Sequence, residues 1–109
     1  MRRTRHDRVF RAVADPTRRS ILEKLHRAEL TVTELCEPFP MTQPSLSKHL
    51  AVLRRSGLIE VRRSGRHRYY RLHAEPLEQI AAWAMQFRDV RDPSGHVWRL
   101  TQFDKRKDT

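Results

Sequence analysis

The sequence predicts a mainly α-helical fold with one small β-hairpin, and three observations lead there. Apolar residues recur at helical spacing in four segments between residues 8 and 56. The period then shortens to two in Ile59-Glu60-Val61-Arg62 and Tyr69-Tyr70-Arg71-Leu72, with Ser64-Gly65 between the runs. Helical spacing returns at Leu77, Ile80, Ala81, Ala84 and Phe87.

Taken in chain order, Val9, Phe10 and Val13 form a short first helix that stops near Asp15. Asp15-Pro16 reads as an N-cap followed by proline at the first helical position, where its missing N–H costs nothing. The helix it opens, about 16 to 27, sets Ile21, Leu22 and Leu25 on one face. In "TVTELCEPF", Thr31 and Glu34 stand at capping-box spacing and Pro38 ends the segment. Thr42 then caps a longer helix that tolerates Pro44 in its first turn and runs to about Ser56, with Gly57 at the left-handed C-cap position. Two helices joined by a short proline-bearing turn, the second longer and polar at its start, make a helix-turn-helix. The basic hairpin that follows makes it a winged helix-turn-helix, and the terminal helical run adds one more helix. That run breaks at Asp92-Pro93-Ser94-Gly95. Residues 1–92 are therefore expected to form one domain, with 93–109 an extension whose polar end is disordered. A chain of 109 residues has length for one small domain and a modest core, which dimerisation would help to cover.

Charge narrows the function. The chain carries 23 Lys and Arg against 13 Asp and Glu, a net +10. Residues 48–71 hold Lys48, Arg54, Arg55, Arg62, Arg63, Arg66, Arg68 and Arg71 against Glu60 alone, so most of that excess lies in one stretch. A polyanion is the natural partner, nucleic acid first and an anionic membrane surface second. No apolar run approaches the roughly 20 residues that span a bilayer. The first residues lack an apolar stretch of signal-peptide length, so export is not expected. A single cysteine, Cys36, forms no intramolecular disulfide and fits a reducing cytoplasm.

On the helix opened by Thr42, Leu46, Leu50 and Leu53 share one face. Ser45, Lys48 and Val52 project from other faces, with Gln43 and Ser47 on the flanks. The polar groups crowd the N-terminal half, the part that enters a major groove in helix-turn-helix docking. Gln pairs bidentately with adenine, Lys reaches guanine or phosphate, and Ser serves several base edges. The helix N-terminus and the Thr42 hydroxyl suit a phosphate. His49 borders the leucine face, so a groove contact and a packed histidine both stay open. Arg62, Arg63, Arg66, His67 and Arg68 surround the hairpin tip, where arginine clamps phosphates or enters a narrow minor groove. Protection of an edge strand would need only one or two such charges.

The stretches "ADPTRRSILEKL", "LTVTELCEPFPMTQPSLSKHLAVLRRSGLIEVRRSGRHRYYRL" and "LEQIAAWAMQF" together resemble the ArsR/SmtB family of bacterial winged-helix repressors. The resemblance spans about residues 8–90, and "QPSLSKHL" followed by "LRRSGL" is its most specific part. It implies a homodimer built from the first and last helices, here Val9, Phe10, Ile80, Trp83, Ala84 and Phe87. It also implies double-stranded DNA as partner, a partly palindromic operator near the protein's own gene, and repression released by an inducer. Trp83 with Trp98 lining an apolar cavity for a small organic effector stays open beside the dimer reading. The family's terminal helix usually continues where Pro93-Ser94-Gly95 interrupts this one.

Family members that sense metal through thiolates carry Cys-X-Cys on the third helix; here Cys36 is followed by Pro38 at the second position. One thiolate makes no soft-metal site without other ligands. Members that sense metal on the terminal helix use paired Asp, His and Glu ligands, and "PLEQIAAWAMQFRDV" has no histidine. The six histidines (His6, His26, His49, His67, His73, His96) include no i, i+4 pair, so no metal or cofactor is expected. His6, Asp7 and His96 meeting across a dimer is the remaining route to a metal site. Glu37 beside Cys36 disfavours a reactive thiolate. There is no glycine-rich phosphate loop, no Ser-His-Asp set and no clustered carboxylate pair, which argues against an enzyme. The expected function is sequence-specific DNA-binding regulation. The alternative is a winged-helix module for RNA or protein–protein assembly, which Gln43, Ser45 and Lys48 disfavour because the A-form major groove excludes such readout.

Overall fold

The computed structural model describes residues 4–37, 41–91 and 97–99. Among these residues five helices and two antiparallel strand pairs follow in order: α1 (Arg5–Val13), α2 (Pro16–Arg27), α3 (Val32–Cys36), α4 (Gln43–Arg55), β1 (Ile59–Ser64), β2 (His67–Leu72), α5 (Glu75–Met85), β3 (Asp89–Arg91) and β4 (Val97–Arg99).

The first four helices start where a side chain satisfies their free N–H groups. Thr4 and Asp7 form a reciprocal capping box on α1, each bond 3.1 Å. Asp15 Oδ2 accepts from the Arg18 N–H at 3.0 Å on α2. Thr31 and Glu34 close the expected capping box on α3 at 3.2 and 2.8 Å, and Thr42 Oγ1 accepts from the Ser45 N–H on α4. α4 stops at Gly57, whose φ of 81° only glycine adopts without strain. The Leu58 N–H donates to Leu53 O and the Gly57 N–H to Arg54 O, both 3.0 Å. With Leu53 and Leu58 both fully buried, this is a complete Schellman stop with its hydrophobic contact.

The core lies between the helices and the root of the first hairpin. Val9 and Ala12 of α1, Ile21, Leu22 and Leu25 of α2, Leu35 of α3, and Leu46, Leu50 and Leu53 of α4 meet Leu58, Ile59 and Tyr70. The hairpin is tied down at two points. Leu30 and Tyr70 exchange both backbone hydrogen bonds, at 3.0 and 2.8 Å, and the His73 N–H donates to Leu58 O at 2.8 Å.

β1 and β2 pair antiparallel from Ile59↔Leu72 to Ser64↔His67, leaving Gly65-Arg66 as the turn. This is one residue beyond the Ser64-Gly65 tip expected from the sequence. Gly65 has φ 62° and, among the described residues, no other residue type has positive φ, so only the first central position is left-handed, the pattern of a type II′ turn. α5 ends two residues before Phe87, its last turn tightened by bonds from Phe87 N–H to Ala84 O and Arg88 N–H to Met85 O.

A second antiparallel pair then follows, Asp89↔Arg99 to Arg91↔Val97, which no pattern in the sequence predicts. Its strands are three residues each, too short for an alternation to show. The residues Asp92-Pro93-Ser94-Gly95, where the helical pattern of the sequence breaks, lie outside the described residues, as do Pro38, His96 and residues 100–109. The boundary expected between 92 and 93 falls between two paired strands, so β4 is joined by its hydrogen bonds to the part that precedes it.

Candidate nucleic-acid interface

α4 is seated by Leu46, Leu50 and Leu53, which are buried, and this fixes what its other faces present. Thr42, Gln43, Ser45, Ser47 and Lys48 are all exposed. Ser45 accepts from the Thr42 hydroxyl at 3.3 Å, so both side chains are partly engaged in the cap. Gln43, Ser47 and Lys48 carry no side-chain bond among the described residues.

His49 departs from this group. It is half-buried, with Nδ1 3.4 Å from Arg18 Nη1 and 3.8 Å from Asp15 Oδ2, and so turned back toward the start of α2. An unprotonated Nδ1 accepts from Arg18, and a protonated one pairs with Asp15. Of the two readings left open for His49, these contacts support the packing role. Its position at the edge of the leucine face is the physical reason, because that edge abuts α2.

Arg18 is a residue that no sequence motif singled out. Its Nε donates to Ala12 O at 2.8 Å and its Nη2 to Arg11 O at 2.9 Å, so it closes the C-terminal end of α1 while reaching His49 on α4. Arg19 adds a bond from Nη1 to Val13 O at 2.8 Å. The Asp-Pro-Thr-Arg-Arg run is the one local signal for this arrangement.

The Asp15 carboxyl is held below its ordinary 3.8, first by the Arg18 N–H and then by the charges of Arg18 and His49, against a desolvation acting the other way. Because the folded value is the lower one, this stabilisation is full above the unfolded value and is lost as pH falls through the folded value. Asp15→Asn keeps a cap acceptor and removes the charge. Urea unfolding is expected to show the variant less stable at neutral pH, with the gap closing below about pH 4. A gap that persists unchanged at acid pH would contradict the charge argument.

On the hairpin the register sorts the cations into two groups. Glu60↔Arg71 and Arg62↔Tyr69 share one face and are internally satisfied. Arg71 Nε donates to Glu60 Oε1 at 3.2 Å, and Arg62 Nε donates to Glu29 Oε1 at 2.9 Å while its guanidinium lies over the Tyr69 ring. Arg62 is therefore a structural tie. Arg63 stands directly opposite Arg68 on the other face, with Arg66 in the turn. All three are exposed, and none has an ion-pair partner among the described residues. Like charges directly opposite are destabilising, a cost that a polyanion would relieve. His67 is exposed beside them, its ring 6.1 Å from that of Tyr69.

The residues grouped as a dimer surface divide as well. Val9 is fully buried in the chain's own core, because the α1 face that carries it with Ala12 packs inward. It has no surface to give a partner. Ile80 is half-buried against the same core, and Ala84 is half-buried. Phe10, Trp83 and Phe87 form an edge-to-face row across α1 and the end of α5, with centroids 5.2 and 5.1 Å apart. They stay 37, 51 and 48 % exposed, which is unusual for side chains of this size. His6 Nε2 reaches Gln79 Oε1 at 3.2 Å and Arg5 approaches Glu75, so polar pairs also tie α1 to α5.

Cys36 is half-buried and its thiol donates to Met41 O at 3.3 Å. Among the described residues no three His, Cys, Asp or Glu side chains cluster as metal ligands, and no helix is long and apolar enough to cross a membrane.

Known proteins share this arrangement. A family model described as a helix-turn-helix domain matches residues 13–62. The transcriptional repressor SdpR of Bacillus subtilis is 37% identical over 79 residues, which cover 72% of this chain and 88% of that protein. The arsenical resistance operon repressor of Escherichia coli is 38% identical over 95 residues, 86% of this chain and 73% of the relative. A crystal structure of an ArsR family transcriptional regulator superposes with a TM-score of 0.70 at 39% identity, over 79% of this chain and 91% of that one. The chain belongs to the ArsR/SmtB family. As an ArsR/SmtB protein it is a DNA-binding transcriptional regulator of winged helix-turn-helix fold, and not an enzyme. The family match spans α2 to β1, so it contains all of α4, the element with the exposed Gln43, Ser47 and Lys48.

Proposed function

We propose that this regulator acts as a homodimeric repressor on a partly palindromic operator, including one at its own gene, and that an inducer releases it. α4 lies in the major groove, where Gln43, Ser47 and Lys48 meet base edges and the Thr42 end of the helix meets a phosphate. The wing sets Arg63, Arg66 and Arg68 on the flanking backbone. A reducing cytoplasm is the compartment this suits. The observation that carries the reading is the sorting of charge on the hairpin. Its cations away from the tip are matched to Glu29 and Glu60, while those at the tip have no match among the described residues.

Replacing Gln43 or Lys48 with Ala tests the base contacts. Preference for the operator over shuffled duplex is expected to fall by about 1–3 kcal/mol wherever the side chain removed had paired bidentately with a base. Equal weakening on both duplexes would remove that residue from base readout.

The dimer rests on the exposed row of Phe10, Trp83 and Phe87, which a second copy would bury. Trp83→Ala removes the middle ring. Sedimentation equilibrium should show the dimer dissociation constant raised by roughly tenfold or more, as for an interface aromatic. An unchanged constant would place the interface elsewhere.

A further inference from the structure

Arg8 and Arg11 of α1 and Arg55 of α4 converge on one cavity of about 480 Å³, lined also by Val52 and Ser56. We infer that this cavity is a binding site for a small organic dianion, a phosphate or dicarboxylate carrying a short apolar part. Arg8 and Arg11 stand three residues apart and so share a face of α1, directed at the last turn of α4. Among the described residues no carboxylate lines the cavity, and none of the three arginines has an ion-pair partner. Favourable interaction with a helix C-terminus accounts for Arg11 and Arg55 singly, since each lies in a last turn. It does not account for Arg8 or for three guanidinium groups on one cavity. Guanidinium forks match phosphate and carboxylate oxygens in pairs, which gives three of them a common ligand chemistry.

The shape selects a small molecule over a duplex. The cavity reaches Ser56, which is 3 % exposed, and the Ser56 hydroxyl is already committed to Leu53 O at 2.7 Å. A phosphate ridge on a rigid duplex does not descend to a buried residue, whereas a small ligand rests its apolar part on half-buried Val52. The volume lies in the range of small-molecule sites, roughly 300–1,000 Å³. A ligand there joins α1, which carries Phe10, to α4, which carries Gln43 and Lys48. Coupling of its binding to DNA affinity rests on the function proposed above; the binding itself does not.

The test uses the full chain and phenyl phosphate, with inorganic phosphate and chloride at matched ionic strength as controls. Nuclear magnetic resonance titration should give saturable shifts of the Arg8, Arg11 and Arg55 Nε–H groups and of the Val52 and Ser56 amides. Inorganic phosphate should bind at least threefold more weakly. Arg8→Ala with Arg55→Ala should raise the dissociation constant at least tenfold, and Val52→Glu should do the same with every arginine in place. The arginine double variant should bind duplex DNA with the salt slope of the parent chain. Shifts that grow linearly and match those of chloride would overturn the proposal, as would saturation unchanged in both variants. A shallower DNA salt slope in the double variant would assign the arginines to duplex phosphates and overturn it equally.

Discussion

Replacing Arg63, Arg66 and Arg68 together with Ala is expected to weaken binding to native and shuffled duplex alike, by about a hundredfold near physiological salt. The logarithmic salt slope should become shallower by about 0.9 for each phosphate no longer neutralised, so by nearly three per protomer and about twice that for a dimer with both wings on the duplex. The reason is local. Arg63 and Arg68 face each other across the strands, Arg66 occupies the turn, and no carboxylate partner holds any of them among the described residues. Removing them should leave folding intact, because the cross-strand pair they take away is a repulsive one. Arg62→Ala should behave differently, since it breaks the bond to Glu29 and uncovers Tyr69, so its effect should fall on hairpin order and leave most of the slope. Anisotropy with labelled duplex at several salt concentrations separates the two. A triple variant with an unchanged slope would mean that the wing touches no phosphate.

Leu50→Ala is expected to cost about 2–5 kcal/mol of folding stability, a large part of the roughly 5–15 kcal/mol that holds a small domain together. Leu50 is 2 % exposed, and α4 packs against α1, α2, α3 and β1. With rigid elements around it, the hole left by the side chain has little freedom to collapse. The melting temperature should fall by on the order of 10 °C or more. Lys48→Ala, close by on the exposed side of the same helix, should stay within about 0.5 kcal/mol of the parent. Thermal unfolding of the two variants checks both statements, and an unchanged midpoint for Leu50→Ala would contradict the seating of α4.

Much of this was legible in the sequence because its signals are local. Thr31 with Glu34, Asp15 with Pro16, and Gly57 each mark a helix end through bonds made within a few residues. The leucines of α4 announce a buried face by spacing alone. What escaped depends on tertiary pairing. Glu29 reaches Arg62 because Leu30 pairs with Tyr70, far away in the chain. His49 and Arg18 meet only once α2 and α4 are packed, and Val9 and Phe10, adjacent in sequence, divide between the core and the partly exposed row against α5. Neither the convergence of Arg8, Arg11 and Arg55 nor the short β3–β4 pair has a periodic signature. A count of basic residues in 48–71 treats Arg62 and Arg71 like Arg63 and Arg68, although the fold neutralises the first two.

The measurement that bears most directly on the proposed repressor is anisotropy of a labelled duplex from upstream of the protein's own gene. A shuffled duplex of the same composition serves as control, and both are followed across several salt concentrations. Binding to the native duplex at least about a thousandfold tighter than to the shuffled one, with a steep salt slope for both, is the expected result for specific readout by α4. Equal affinity for the two duplexes would contradict an operator at that gene.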